Sequence, residues 1–315
     1  MKIVIPGGTG QVGTVLARAF QNDGHDVAVL SRNPANAPWQ IVQWDGETLA
    51  DWVAVIERAD VVINLAGQSV NCRYTTENRR ILIDSRVKST RVVGRAIAQA
   101  NHPPRIWLQA STATLYAHRY DAPNDEATGI IGGSEPDAPD TWRFSIDIVK
   151  RWEHELNEAA TPATRKVLMR SAIVMSPDPG GPFDALLRLV RFGLGGRSGD
   201  GKQYISWIQD QDFMRAVLWL IQHEELHGPV NLAAPNPLPN FRFMQDLRKA
   251  WGISVGLPAT EWMLELGAFL LRSETELILK SRRVIPSRLL QSGFTFQFAT
   301  WADAARDLCA RWREK

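Results

Sequence analysis

The chain of 315 residues carries 36 Lys+Arg against 34 Asp+Glu, a formal charge of +2, and is 44% hydrophobic. That is enough apolar material for a sizeable core in one large or two intimate domains. So slight a charge over this length supplies no basic field, so neither nucleic acid nor an anionic membrane is expected as a partner. Cys72 and Cys309 stand without another Cys or a His at metal-ligand spacing, and the His residues are scattered. No disulfide framework or metal site is therefore expected, and a reducing compartment fits best. Met1 to Gly7 reads as a strand entering a turn and leaves no room for a signal segment, while the apolar stretches at 216–221 and 266–271 are too short to span a bilayer. The cytoplasm is the expected location.

Taken in chain order, short apolar runs at 4–5, 25–30, 59–65, 105–109 and 166–169 each precede a turn and a segment of helical period. This alternation predicts an α/β fold of Rossmann type, a doubly wound parallel sheet with helices on both faces. Residues 11–22 place Val12, Val15, Leu16 and Phe20 on one helical face. Residues 82–98 do the same with Val87, Val92, Val93 and Ile97, and residues 145–156 with Ile148, Val149, Trp152 and Leu156. After about residue 176 the texture changes to Pro- and Gly-rich turns between short helices, in 176–200 and 235–298. The expected division is a dinucleotide-binding domain of 1–175 plus about 208–235, and a substrate lobe of 176–207 and 236–315.

Directly after the first strand comes Gly7-Gly8-Thr9-Gly10-Gln11-Val12-Gly13, opening an amphipathic helix. Glycine is needed where the chain turns with positive φ and where backbone approaches a pyrophosphate, and the helix N-terminus adds N–H donors and partial positive charge. Gly7, Thr9, Gly10, Gln11, Val12 and Gly13 are accordingly candidate dinucleotide contacts. The second strand ends at Ser31-Arg32, where a NAD site usually carries an acidic residue for the ribose 2′-hydroxyl and an Arg accommodates a 2′-phosphate. Ser31 and Arg32 therefore favour NADP, the alternative for Arg32 being an ordinary solvated surface position. Leu65-Ala66-Gly67, after Asn64, closes another strand with small residues, which suits either a flat ligand against the backbone or a tight strand-to-helix turn. Asp45 is a candidate partner for the adenine amino group or a turn residue.

These features together resemble the extended short-chain dehydrogenase/reductase superfamily. Asn64 to Gly67, Thr75 to Arg79, Ile83 to Arg91, Gly199 to Ile208, and the tail Ser281 to Pro286 with Gly293 to Phe296 resemble its uncharacterised "epimerase family" branch, with a small C-terminal domain. The resemblance implies NAD(P) at the switch point of a Rossmann sheet and hydride transfer at a sugar or alcohol carbon. It also implies a Tyr acid/base, a Lys that lowers the Tyr pKa, and a Ser or Thr hydroxyl on the substrate oxygen.

Counting back from Tyr116 puts Thr112 at the hydroxyl position, with Ser111 adjacent, although a plain Ser/Thr turn explains both. The Tyr-x-x-x-Lys pair is absent from the next helix: anchoring on Glu153 puts Ser145 at the Tyr position and Val149 at the Lys position. Lys150 is one residue off and rotated about 100° from the required face. Arg86 replaces an Asn of the superfamily, and either binds a substrate anion or pairs with Glu77 or Asp84. Ile205 stands where many relatives grip a nucleotide diphosphate with Arg, with Lys202, Arg197 or Arg282 as substitutes. Trp207, with Tyr204 and Gln203, lines the pocket or belongs to the core.

Three functions follow. The first is an NADP-dependent oxidoreductase or epimerase on a small, unidentified substrate, with catalytic candidates Thr112, Ser111, Tyr116 and Arg86, the last as the cation beside the Tyr116 phenol. The second is a catalytically silent NADPH sensor, and the least supported is a nucleotide-sugar epimerase.

Overall fold

The structure is a computed structural model that describes residues 1–34, 36–260, 263, 274 and 276–315; the 266–271 stretch lies outside the described residues. Its centre is a seven-stranded sheet of β1 (Lys2–Pro6), β2 (Asp26–Ser31), β3 (Gln40–Gln43), β4 (Val61–Asn64), β5 (Ile106–Thr112), β6 (Arg165–Ser171) and, counted after three short strands, β10 (Gly228–Leu232). The spatial order is β10-β6-β5-β4-β1-β2-β3 and every pairing is parallel. The expected doubly wound sheet is thus present, and the order reverses between β1 and β4, where such sheets bind ligands at the carboxyl ends of their strands. Val61 to Asn64 are buried without a break, as a strand covered on both faces requires.

The helices against this sheet are α1 (Gln11–Asn22), α2 (Thr76–Gln99), α3 (Asp140–Glu158) and α5 (Asp210–Gln222). Periodicity alone placed the starts of α2 and α3 five or six residues too late. The first turn of α2 is polar and is started by the Thr75 hydroxyl, which accepts from Asn78 N at 3.2 Å, whereas α3 begins at Asp140 and already buries Phe144 beside Ile148. A cap of the Thr75 kind contributes about 1 kcal/mol. β10 was not singled out in the sequence, because Gly228-Pro229-Val230-Asn231-Leu232 has too few apolar residues to stand out.

A second lobe follows from β7 (Ile173–Met175), α4 (Pro182–Arg191), β8 (Tyr204–Ile205), β9 (Trp207–Gln209), β11 (Leu238–Pro239), α6 (Asn240–Trp251), α7 (Glu276–Leu279) and α9 (Trp301–Arg313), while α8 (Ser287–Gln291) packs on β10 with Leu289 in the core of the large sheet. The second lobe has its own apolar cluster of Phe183, Leu187, Trp207, Phe243, Leu247 and Trp301 with their neighbours. Phe243 stacks on Trp301 at 3.9 Å and Trp207 meets the edge of Trp301 at 5.1 Å, while the Trp301 indole donates to Phe243 O at 2.8 Å. Trp207 is therefore core and not pocket wall, and Gln203, buried beside it, is spent on Ser198 O at 3.0 Å.

Candidate active site

A cleft of about 500 Å³ opens at the switch point, floored by the glycine turn after β1. Gly7 has φ +75°, and a Cβ there would lie 2.6 Å from the Ala66 backbone, so the turn and the end of β4 are pressed together by the absence of a side chain. Gly13 backs α1 onto the turn, since its Cβ would meet Gly8 Cα at 2.4 Å. Gly10 differs: its Cβ would meet nothing nearer than 4.0 Å, in open space before the first turn of α1. No side chain caps that helix. Its leading N–H groups and dipole are left to face the cleft, which is the geometry of an anion cradle.

Of the sequence candidates, Gly7, Thr9, Gly10, Ser31, Arg32, Asp45, Leu65, Ala66 and Gly67 all line the cleft. Gln11, Val12 and Gly13 instead belong to the first turn of α1: Val12 packs on the core, and the Gln11 amide lies against Gly181, whose Cβ would be 2.0 Å from Gln11 Nε2. Arg32 is exposed at the mouth, reaching Gln68 Oε1 at 3.4 Å. Buried Ser31 holds the strand end closed through Asn33 O at 3.0 Å. Asp45 is the turn residue that the sequence allows, and it stands on the cleft wall. Its carboxylate accepts from Glu47 N at 2.8 Å and Thr48 N at 2.9 Å. Partial burial opposes its ionisation, but the Thr48 and Glu47 hydrogen bonds prevail and hold it below the ordinary carboxylate range. The far wall is the exposed face of α2, with Arg80, Ile81, Asp84, Ser85, Lys88 and Ser89. This wall is not legible in the sequence, because nothing in the amphipathic pattern says which polar positions face a ligand.

The four catalytic candidates part company. Thr112, at the end of β5, is half-buried, bonds Thr114 Oγ1 at 3.2 Å and accepts from Thr114 N at 3.2 Å. Ser111 is on the opposite face of the strand, donating to Glu153 Oε1 at 2.6 Å. Glu153 is held by Arg170 through two bonds of 2.9 and 2.8 Å. Arg170 donates in turn to Tyr116 Oη at 3.1 Å, and that hydroxyl donates to Asn231 Oδ1 at 2.9 Å. Tyr116 is 2% exposed. Burial pushes its phenol up against the opposing Arg170. Ser111 and Tyr116 thus belong to a buried network tying β5, α3, β6 and β10 together.

The cation beside Tyr116 is Arg170, not Arg86. Arg86 is buried behind Gly67, donates to Leu82 O and Gln68 O at 3.0 Å each, and lies 5.1 Å from the Trp152 ring. It does not pair with Glu77 or Asp84, whose partners are Arg80 and Lys88. Burial pushes its guanidinium down to about 10. Its evident work is to clamp the loop after β4 onto α2.

On α3, Ser145 and Val149 are buried and Lys150 is exposed, so no Tyr-Lys pair faces the site from this helix. Other segments fill the place. Tyr74 Oη lies 3.3 Å from Ser145 Oγ, and Ser145 donates to Glu276 of α7. Lys280 Nζ donates to Thr114 O at 2.8 Å, and Arg282 Nε to Thr114 Oγ1 at 3.3 Å. Of these, only Arg282 drew notice in the sequence. The others come from 70 residues before and 130 after Ser145, and no local spacing signals such a meeting.

A family model described as the NAD dependent epimerase/dehydratase family matches residues 3–233, and one for a domain of unknown function, DUF1731, matches residues 259–308. The human epimerase family protein SDR39U1 is 29% identical over 98% of this chain and all of its own length. An epimerase family protein of Staphylococcus epidermidis is 29% identical, with 98% of each chain covered. The crystal structure of human SDR39U1, isoform 2, with NADPH superimposes with a TM-score of 0.85 at 27% identity, covering 98% of this chain and 99% of that one. The UDP-N-acetylglucosamine 4-epimerase from Bacillus cereus, at 17% identity and TM-score 0.74 over 100% and 97% of the two chains, shares the fold. The chain belongs to the NAD dependent epimerase/dehydratase family, within the extended short-chain dehydrogenase/reductase superfamily.

Proposed function

We propose that this protein binds NADP(H) in the switch-point cleft and acts as an oxidoreductase or epimerase on a small substrate. The observation that carries the reading is the end of β2, where Arg32, and no carboxylate, stands at the cleft mouth. The uncapped α1 N-terminus and the open space at Gly10 fit a diphosphate, Arg32 and Ser31 a 2′-phosphate, and Leu65 to Gly67 the passage toward β5. NADPH in the human relative supports the same choice. When bound, the nicotinamide supplies or takes up hydride at a carbon whose oxygen Thr112 would hold. The described residues of the second lobe would cover that end as the substrate lobe.

The test is NADPH and NADH titration followed by fluorescence. NADPH is expected to bind at least tenfold more tightly, and Arg32→Ala to erase most of the difference; a clear preference for NADH overturns the NADP assignment. A second reading, an NADPH sensor without turnover, draws on the loss of Tyr and Lys from α3 at Ser145 and Val149. Cofactor-dependent capture of a partner, with no NADPH oxidation across a carbonyl panel, favours it. A nucleotide-sugar substrate is disfavoured by Ile205, which packs on the second lobe's core.

A further inference from the structure

The phenol missing from α3 is delivered to it by a distant part of the chain, and an ammonium stands at one remove, beyond Glu276. Tyr74, from the loop before α2, reaches Ser145 Oγ at 3.3 Å, and Ser145 is the residue at the vacated Tyr position. Ser145 donates its proton toward Glu276 Oε2, so the Tyr74 hydroxyl is the donor in its bond to Ser145. Glu276 Oε1 lies 3.9 Å from Lys280 Nζ and 3.7 Å from Arg282 Nη2. Tyr74 is 8% exposed, Ser145 6%, Glu276 1% and Lys280 1%. Burying a carboxylate and an ammonium at this separation costs more in desolvation than the attraction returns unless other bonds help, and apolar side chains would serve packing better. Arg282 and the Ser145 hydroxyl supply part of that help, and Lys280 and Arg282 reach Thr114 at the carboxyl edge of the sheet, where desolvated charged groups are candidates for chemistry.

We propose, resting on the NADP(H) reading, that Tyr74, Ser145, Glu276 and Lys280 form the proton relay of this site and stand in for Tyr-x-x-x-Lys. In the oxidative direction the substrate hydroxyl O–H breaks and its proton bonds to Tyr74 Oη. The Tyr74 proton passes to Ser145, the Ser145 proton to Glu276, and, once Lys280 Nζ swings from Thr114 O across its 3.9 Å gap to Glu276 Oε1, the last proton passes to the lone pair of a neutral Lys280 amine. Each electron pair stays on the atom that gives up its proton. The net change is one alkoxide and one ammonium, and the reductive direction is the reverse.

Lys280 is placed for this role. Burial pushes its ammonium down to about 8, Arg282 adds to the effect, and Glu276 and Glu135 oppose it. Among the described residues, His118, whose Nδ1 accepts from Ser281 N at 2.8 Å, is a further titratable neighbour, and Glu274 and Cys72 lie beside Tyr74.

Calorimetric titration of the whole protein with NADP⁺, in two buffers of different ionisation enthalpy, counts protons exchanged on binding. The cationic nicotinamide ring, brought to the relay, is expected to release a few tenths of a proton, roughly the effect of a one-unit pKa change at pH 8. Lys280→Met removes the release, and Glu276→Gln, which deletes the carboxylate holding that proton, moves its maximum to lower pH. The probe 2′,5′-ADP lacks the nicotinamide and, at pH 8 and above, where its phosphates are already dianionic, releases none in any variant. NADP⁺ binding by the unaltered protein with no proton released from pH 7 to 9 overturns the relay, as does a release that survives in Lys280→Met. If neither NADP⁺ nor 2′,5′-ADP binds, the cofactor reading falls first and the relay with it.

Discussion

Glu153→Gln tests whether the Ser111–Glu153–Arg170–Tyr116 chain is a structural network, as its geometry indicates, or part of the reacting site. Glu153 and Arg170 have side chains 11% exposed each and make two parallel bonds of 2.9 and 2.8 Å. Neutralising one member of such a pair leaves the other charge buried, at a cost of about 3–5 kcal/mol. Gln keeps an oxygen for Ser111 or for Arg170, which brings the expected loss to the lower end, about 3 kcal/mol. With a urea slope of about 3 kcal/mol/M for a chain of this size, the unfolding midpoint falls by about 1 M. NADPH affinity is expected to stay within twofold, because Glu153 does not line the cleft. A midpoint change under about 0.2 M, or a large loss of NADPH affinity at unchanged stability, refutes the structural assignment.

The same network predicts that Tyr116→Phe, which strands Arg170 Nη1 and Asn231 Oδ1, costs about 1–2 kcal/mol in urea unfolding and leaves NADPH affinity unchanged. Gly13→Ala drives a methyl to 2.4 Å from Gly8 Cα, where backbone cannot yield cheaply. A loss of about 2 kcal/mol or more and weakened NADPH binding are expected, read by thermal melting and fluorescence titration. For Lys280 the folded value of about 8 lies below the ordinary 10.5, so between these pH values the unfolded chain binds more protons and the native protein gains stability as pH rises. Lys280→Met leaves Glu276 buried with Arg282 as a remaining cation, and its stability relative to the unaltered protein is expected to fall as pH rises from 8 to 10.5; a difference independent of pH contradicts it.

The cofactor half of the site was legible because its chemistry is local. A strand, a glycine turn and an amphipathic helix are contiguous, and Gly7, Gly13 and Arg32 act within that one unit. The catalytic half was not. Ser111 and Thr112 are neighbours in sequence, and strand alternation sends one to Glu153 and the other to Thr114. Tyr116 looked like the available phenol because it is near in sequence to Thr112, whereas the phenol that meets Ser145 is Tyr74, brought by a long-range contact. Arg86 was correctly singled out as a cation needing partners, but two backbone carbonyls and an indole supply them. Trp207 shows the same limit from the other side, since an aromatic in a loop-rich segment reads equally as pocket or core until Trp301 is seen against it.

The central claim is that NADP(H) lies across the switch point, with its 2′-phosphate at Arg32 and its nicotinamide toward β5. A crystal structure of the protein with NADPH tests it most directly. The account predicts the 2′-phosphate within hydrogen-bond reach of Arg32, the diphosphate over Gly10, and the nicotinamide facing Thr112. A dinucleotide bound with its 2′-phosphate turned away from Arg32, or with its nicotinamide directed away from Thr112, would contradict it.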